Sequence, residues 1–364
     1  ALQATVACIT FSSLWLMLYR LGPGKLAVVS QDISWLLVLI FLNGLLIRLA
    51  LSYYTYGNID MDFWKKTWEF VSHGQNIYAS YNRYNYSPVW SWLIKFIGDI
   101  QKLAPTLPFH FVLKAFLTLS DTCLFFVLAC LAKRKKLSLI DVGLFFYLNP
   151  VSIFISSCHG QIDGAVMLLL IIGIYLYEIV GSRSFLGKFL LWLFSTLAMI
   201  LKHHVVYQVF ICVNYAFRKW THKILLLAAS AIGFFALFIP YWDNGKASFN
   251  IIHYVWFYTA SPGGYGLACF IKDWYHMSPL FAVSLFVFPL FLRKLDLIGQ
   301  CLLGVLFFLV FATGYGHQYL VLPIALAALR PSKGSLLFTM MGMFLFLGWD
   351  HQYIDIPAFR FAHP

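Results

Sequence analysis

Charge is what this sequence has least of. Only 11% of its 364 residues are Asp, Glu, Lys or Arg, against about 25% in a soluble domain. A chain of this length needs a charged skin to stay in water, and these residues cannot make one. A soluble enzyme and a disordered tail protein are therefore excluded. Paired cysteines are lacking too. The 7 Cys show no Cys-x-x-Cys spacing, and Cys123, Cys130 and Cys301 sit inside apolar runs as small core residues. That excludes a disulfide scaffold, and the absence of His-x-x-x-His argues against a zinc site. Sustained period-two alternation is missing, which excludes a membrane β-barrel.

What is present is apolar. Hydrophobic residues make up 61% and aromatics 19%, with 36 Phe, 21 Tyr and 12 Trp, and the mean hydropathy is +0.78. This composition predicts an all-α polytopic membrane protein with aromatic belts. At roughly 20 residues per span the chain has room for about ten to twelve helices in a single transmembrane domain over 1–364. Candidate spans lie near 1–19, 33–52, 107–132, 137–157, 164–180, 185–201, 204–217, 224–242, 279–293, 297–314, 319–330 and 335–349. Residues 1–19 lack a basic n-region and a small-residue cleavage site, so they read as a span rather than a signal peptide. The chain starts without Met, so a native start upstream stays open.

The formal net charge is +12, but its placement argues against nucleic acid as a partner. Lys133–Lys136, Arg183 with Lys188, Arg218 with Lys219 and Lys223, Arg293-Lys294, and Arg330 with Lys333 fall on alternate short loops. That is the positive-inside pattern, so these loops read as cytoplasmic.

The opposite loops carry the chemistry. The first is long, about 53–106, and holds Asp60, Asp62 and many aromatics, with a semi-apolar stretch 88–98 suited to the membrane surface. The second large one, about 243–278, contains Tyr258 through Gly266. Shorter ones carry His159-Gly160-Gln161-Ile162-Asp163, Lys202-His203-His204, His317-Gln318 and Asp350-His351. Polar groups from separate hairpins converging on one side predict a site at the outer face.

Asp60 and Asp62 stand two residues apart just after a span. One carboxylate can serve as a general base while the other binds a cation, orients the acceptor or restrains the first. The plain alternative is a helix start, with Asp60 as N-cap and Asp62 in the first turn. Lys202 with His203 and His204 could bind phosphate, or Lys202 could snorkel to the headgroups. His159 could touch phosphate or sugar, with Gln161 and Asp163 on hydroxyls, or the segment could be a polar helix connection. Arg48, near the outer end of its span, could meet a first-loop acid, meet a phosphate, or snorkel. His317 could line the site, and Asp350-His351 reads as a surface pair. Asn85-Tyr86-Ser87 is a formal glycosylation sequon, discounted because Pro88 follows it.

Asn58-Ile59-Asp60-Met61-Asp62-Phe63-Trp64, then Gly74-Gln75-Asn76-Ile77-Tyr78, then Tyr84-Asn85-Tyr86-Ser87-Pro88, give a resemblance. So does Asn149-Pro150 running to His159-Gly160-Gln161-Ile162-Asp163. Together they resemble the polyprenyl-phosphate-sugar-dependent membrane glycosyltransferases of the GT-C superfamily. The stretch looks most like the catalytic subunit of GPI mannosyltransferase I and the bacterial polyprenol-phosphate-mannose enzymes. It is also similar to the dolichol-phosphate-glucose enzymes of N-glycan assembly. The likeness covers roughly 58–90 and 149–164, and Ser87-Pro88 stands where many relatives have Pro-Pro.

The resemblance implies an inverting transfer of a sugar, mannose first, from a polyprenyl- or dolichyl-phosphate donor. The acceptor would be a lipid-linked glycan or glycolipid. Asp62, directly before Phe63, matches the family's catalytic acid, and Asp60 is its rival. Lys202, His203, His204, His159, Gln161, Asp163, Arg48 and His317 are candidates for donor phosphate and sugar. A Mg or Mn ion at Asp60 and Asp62 is compatible but not implied. Membrane lipids and a small membrane subunit are further partners. The implied setting is the endoplasmic reticulum membrane or a bacterial inner or plasma membrane, with the active site on the luminal or extracytoplasmic side. A different class, a transporter or lipid-linked-sugar flippase, would place polar groups mid-span on broken helices. Asp121 is the mid-span exception here. A non-catalytic assembly subunit is a third class.

Overall fold

Long apolar runs leave the backbone no partner in lipid but itself, so they become helices. The computed structural model describes residues 12–18, 20, 33–82, 84–243, 245–256, 266–271, 274–312 and 316–349. Among these residues there are helices and no strand. Residues 1–11, Tyr258–Tyr265 and Asp350-His351, named above, lie outside the described residues.

Four described helices are long and apolar enough to cross a bilayer: Trp35–Tyr54, Phe109–Arg134, Asp163–Val180 and Trp220–Tyr241. A fifth span forms if Leu139–Tyr147 and Pro150–His159, which meet at 51°, count as one. The difference from the expected ten to twelve is one of length. Phe185–Leu201, Ser278–Phe291, Leu297–Phe311, His317–Ala327 and Lys333–Phe346 are apolar but shorter. The 17 residues of Phe185–Leu201 rise about 26 Å, less than a hydrocarbon core of about 30 Å. Several runs are cut by polar turns, as Lys202-His203-His204 cuts Phe185–Leu201 from Val206–Ala216.

The chain divides into two compact units, within which the described residues fall. The first comprises Ala1–Met61, Leu113–Leu168 and His317–Pro364. Its core is the break at Asn149-Pro150. Pro150 has no N–H to give, and Asn149 Oδ1 caps Val151 N–H at 3.0 Å. The N–H that would continue the helix onto the Tyr147 carbonyl is thereby diverted. Arg48 takes that carbonyl, with Nη1 at 2.5 Å. The same guanidinium reaches Ser152 Oγ at 2.9 Å and pairs with Asp121 at 3.3 Å. Both charged side chains are buried. Arg48 also lies 4.4 Å over the Tyr147 ring.

Arg48 opens a polar seam. Arg48, Ser52 and Thr55 follow one another at i, i+4 and i+7, on one helical face. Asp121, Thr118 and Lys114 match that spacing on Phe109–Arg134. Ser52 and Thr118 hydroxyls meet at 3.5 Å, and Lys114 Nζ donates to the Thr55 carbonyl at 2.8 Å and hydroxyl at 2.9 Å. Ser157 touches Thr118 at 3.5 Å and Ser156 at 3.3 Å. At the other end of the unit, Arg20 pairs with Asp141 at 2.7 Å.

The second unit comprises Asp62–Val112 and Leu169–Gly316. It ties the segments 76–92 and 241–250 together. Asn76 caps Tyr78 N–H at 3.1 Å and donates to the Tyr241 carbonyl at 2.9 Å. Asn250 donates to the Tyr78 carbonyl at 2.6 Å, and Trp92 to the Tyr241 hydroxyl at 2.6 Å. Helix Pro88–Leu103 buries Trp90, Ile94 and Ile97 and exposes Trp92, Phe96 and Leu103. That two-sided character suits the surface position expected of 88–98.

Asp121→Leu leaves the Arg48 cation buried without its counter-charge, a loss of about 3–5 kcal/mol. Thermal unfolding in detergent should show a clear drop for that variant. Arg48→Met/Asp121→Leu should lose less than the sum of the two single variants. Strict additivity would mean the pair is not coupled.

Candidate functional site

Asn58, not Asp60, caps the helix Ile59–Ser72: its Oδ1 accepts the Asp60 N–H at 3.0 Å. The expectation that Asp60 is the cap is corrected, because the neighbouring amide already fills that role. The Asp60 carboxylate is left for other work. Its Oδ2 accepts from Gln161 Nε2 at 2.5 Å and from Asn58 Nδ2 at 3.4 Å. Gln161 is itself buried, and its Oε1 has no hydrogen-bond partner among the described residues. An amide held by its nitrogen, with its oxygen unfilled, needs a donor such as a hydroxyl.

Two glycines permit this approach. Gly57 has φ +115°, and a Cβ there would meet the Cys158 and His159 carbonyl oxygens at 3.2 and 3.3 Å. Gly160 has φ +76°, and a Cβ would strike Met61 Cε at 2.5 Å. Segment 158–161 therefore settles directly on the helix start. The Lys114 stem packs along the same glycine, with Cγ and Cε 3.5 and 3.6 Å from where that Cβ would lie. Sequence reasoning missed Lys114. Its signal was a lone cation near the start of a long apolar helix.

Asp62 is exposed. Two helical residues turn it about 200° from Asp60, so the two carboxylates face different ways. A shared cation between them finds no support in this arrangement, and among the described residues no three His, Cys, Asp or Glu side chains gather as metal ligands.

His159 and His317, expected separately, come together: Nδ1 and Nε2 are 2.9 Å apart. One ring must donate and the other accept. Their rings meet edge-on at 4.6 Å, and Phe346 packs against both, at 5.3 and 5.1 Å. Asp163 is buried in the first turn of Asp163–Val180. Arg48 pairs with Asp121 inside the unit rather than with a first-loop acid, and it does not snorkel.

In the second unit, Lys202 is buried, with Nζ 5.7 Å from the Tyr86 ring centre, rather than extended to the headgroups. Tyr86 belongs to an aromatic cluster. Trp64 stands 4.9 Å from Tyr86 and 5.3 Å from Trp90, both edge-on. Trp64 Nε1, Trp90 Nε1 and Ser87 Oγ are buried without partners among the described residues. Three such donors around an aromatic surface suit a ligand rich in oxygen. His203 sits in the turn after Phe185–Leu201. Burial, reinforced by the Lys202 charge, pushes it down to about 4. His203 is therefore neutral near pH 7 and offers one donor and one acceptor.

Comparisons with protein-family models, with curated proteins and with solved structures return no match.

The sign of the His203 effect follows from linkage. Its folded value lies below the ordinary value of 6.5, so its neutral form is the folded one. The stability it supports is present above about 6.5 and is lost as pH falls from there through about 4. His203→Gln should flatten the acid side of a stability–pH curve in that window. An unchanged curve would remove His203 from the account.

Proposed function

We propose that this chain is an inverting glycosyltransferase. It moves a sugar, mannose by the resemblance, from a polyprenyl- or dolichyl-phosphate donor to a lipid-linked glycan or glycolipid. The observation that carries the reading is Asp60 beside Gln161, with the buried Gln161 Oε1 unfilled. A carboxylate oxygen and an amide oxygen side by side accept hydroxyl protons, and an acceptor sugar presents hydroxyls.

In this reading Asp60 is the base. It takes the proton of the acceptor hydroxyl as the oxygen attacks the anomeric carbon. The bond from that carbon to the phosphate oxygen breaks, and polyprenyl phosphate leaves with the electron pair. Attack opposite the leaving group inverts the centre. Gln161 and Asn58 hold the carboxylate by its Oδ2. Their amides fix its direction, which is what a base in transfer chemistry requires. In the second unit, taken by itself, Lys202 is a buried point charge suited to a phosphate, with neutral His203 as a hydrogen-bond donor. His204 keeps its place beside them. The His159–His317 pair and Asp163 are assigned to sugar hydroxyls. The active side is taken to be luminal or extracytoplasmic because these groups lie on loops opposite the basic ones.

A transporter or flippase is the second reading. The broken pair Leu139–Tyr147 and Pro150–His159, with Arg48 and Asp121 beside the break, favours it. Against it, Arg48 is bonded to Asp121, Tyr147, Ser152 and Gly44 at once. Such a group acts as a brace and not as a travelling ion site.

Asp60→Asn should leave folding intact and lower transfer from a polyprenyl-phosphate sugar by about 10²–10⁴-fold. Asp62→Asn should keep most activity. The reverse pattern would return the base to Asp62. Solute uptake into proteoliposomes without any sugar transfer would sink the enzyme class.

A further inference from the structure

The basic loop residues were read above as topology signals. One group departs from that. In the second unit a cavity of about 360 Å³ is lined by Arg218, Lys223 and Arg293, with Asn214, Trp220 and Gln300 among the other walls. The residues come from three places. Helix Val206–Ala216 ends at Asn214 and its neighbours, Trp220 and Lys223 begin the next helix, and Arg293 follows Ser278–Phe291. Gln300 lies in the first turn of Leu297–Phe311.

Among the described residues no carboxylate lines this cavity. Among the described residues none of the three cations forms an ion pair. Lys223 is buried, where topology alone would leave it in water. Its Nζ meets a neutral partner, Asn214 Oδ1 at 2.7 Å, and the face of Trp220 at 4.5 Å. By contrast Lys133, Arg134 and Lys136, another basic loop, are exposed. Three like charges gathered on one cavity repel, and a bound anion would reverse that penalty. Gln300 supplies a second requirement. Its Nε2 donates to the Leu295 carbonyl at 2.9 Å, while its buried Oε1 has no partner among the described residues. That oxygen calls for a hydroxyl donor.

We propose that this cavity binds a phosphate group carried by the headgroup of an anionic phospholipid, one that also bears free hydroxyls. Phosphate meets Arg218, Lys223 and Arg293, and a headgroup hydroxyl can satisfy Gln300. The lipid source is favoured by the rim: Trp220 and Tyr215 are 56% and 38% exposed beside the cavity, as interfacial anchors are. The cavity lies at the opposite end of helix Val206–Ala216 from Lys202, about 16 Å along its 11 residues. It is therefore separate from the phosphate role assigned to Lys202 and does not depend on the reaction proposed above.

The test uses the full chain in nanodiscs of phosphatidylcholine containing a minor share of phosphatidylglycerol. Lipid retained by the released protein is read by native mass spectrometry. Wild type should retain phosphatidylglycerol in preference to phosphatidylcholine. Arg218→Gln and Arg293→Gln, both exposed and foldable by thermal unfolding, should each lower retention about fivefold. Arg183→Gln, an equal loss of charge on another basic loop, should not. Added inorganic phosphate should leave the retained lipid in place. Absence of preference, or an equal loss with Arg183→Gln, overturns the site. Displacement by inorganic phosphate together with stabilisation by it would overturn the lipid source in favour of a soluble phosphate.

Discussion

A guanidinium inside an apolar unit must find partners for its donors or the helix bearing it will not stay there. Arg48 finds them in one place: the Asp121 carboxylate, the Tyr147 carbonyl and the Ser152 hydroxyl. The dependence runs both ways. The helix break at Asn149-Pro150 frees a carbonyl that lipid could not satisfy, and Arg48 is what makes the break tolerable. The broken helix then bends by 51°, and its second half ends at His159. The placement of the 158–161 segment thus traces back to one ion pair.

From that brace the seam continues through Ser52 with Thr118 and Thr55 with Lys114. It exchanges water for protein partners at each step. Where it ends, Gly57 and Gly160 allow close backbone approach and Asn58 takes over the capping of the next helix. Asp60 is released by that substitution of roles. In the second unit the same economy is left incomplete: Trp64, Ser87 and Trp90 keep buried donors unfilled beside Tyr86. Buried polar atoms without partners are uncommon in stable interiors, so their concentration at a few places points to ligands.

Membrane character and helical content were legible because hydrophobicity accumulates over whole segments. The number of spans was not, because a turn such as Lys202-His203-His204 shortens a helix without changing its composition. The polar loop residues were legible as candidates, and Asp60 with Gln161 came together. Which carboxylate is held depended on Asn58, whose capping role rests on one hydrogen bond. The partner of Arg48 was hidden for another reason. Asp121 lies 73 residues away, and each looks like a lone polar residue in its own apolar run. Lys114 was invisible on the same ground. The cavity of basic residues looked like ordinary topology until three helix ends were brought around it.

The 73-residue separation also has a history in time. A growing chain delivers Arg48 to the bilayer well before Asp121 exists. A lone Arg in an apolar helix is costly to insert, roughly 2.5–3.5 kcal/mol at the helix centre and less towards its ends. The apolar helix around it must carry that burden until the next long span arrives. Assembly of the first unit is thus ordered by synthesis: the helix bearing Arg48 enters incomplete, and Asp121 finishes it.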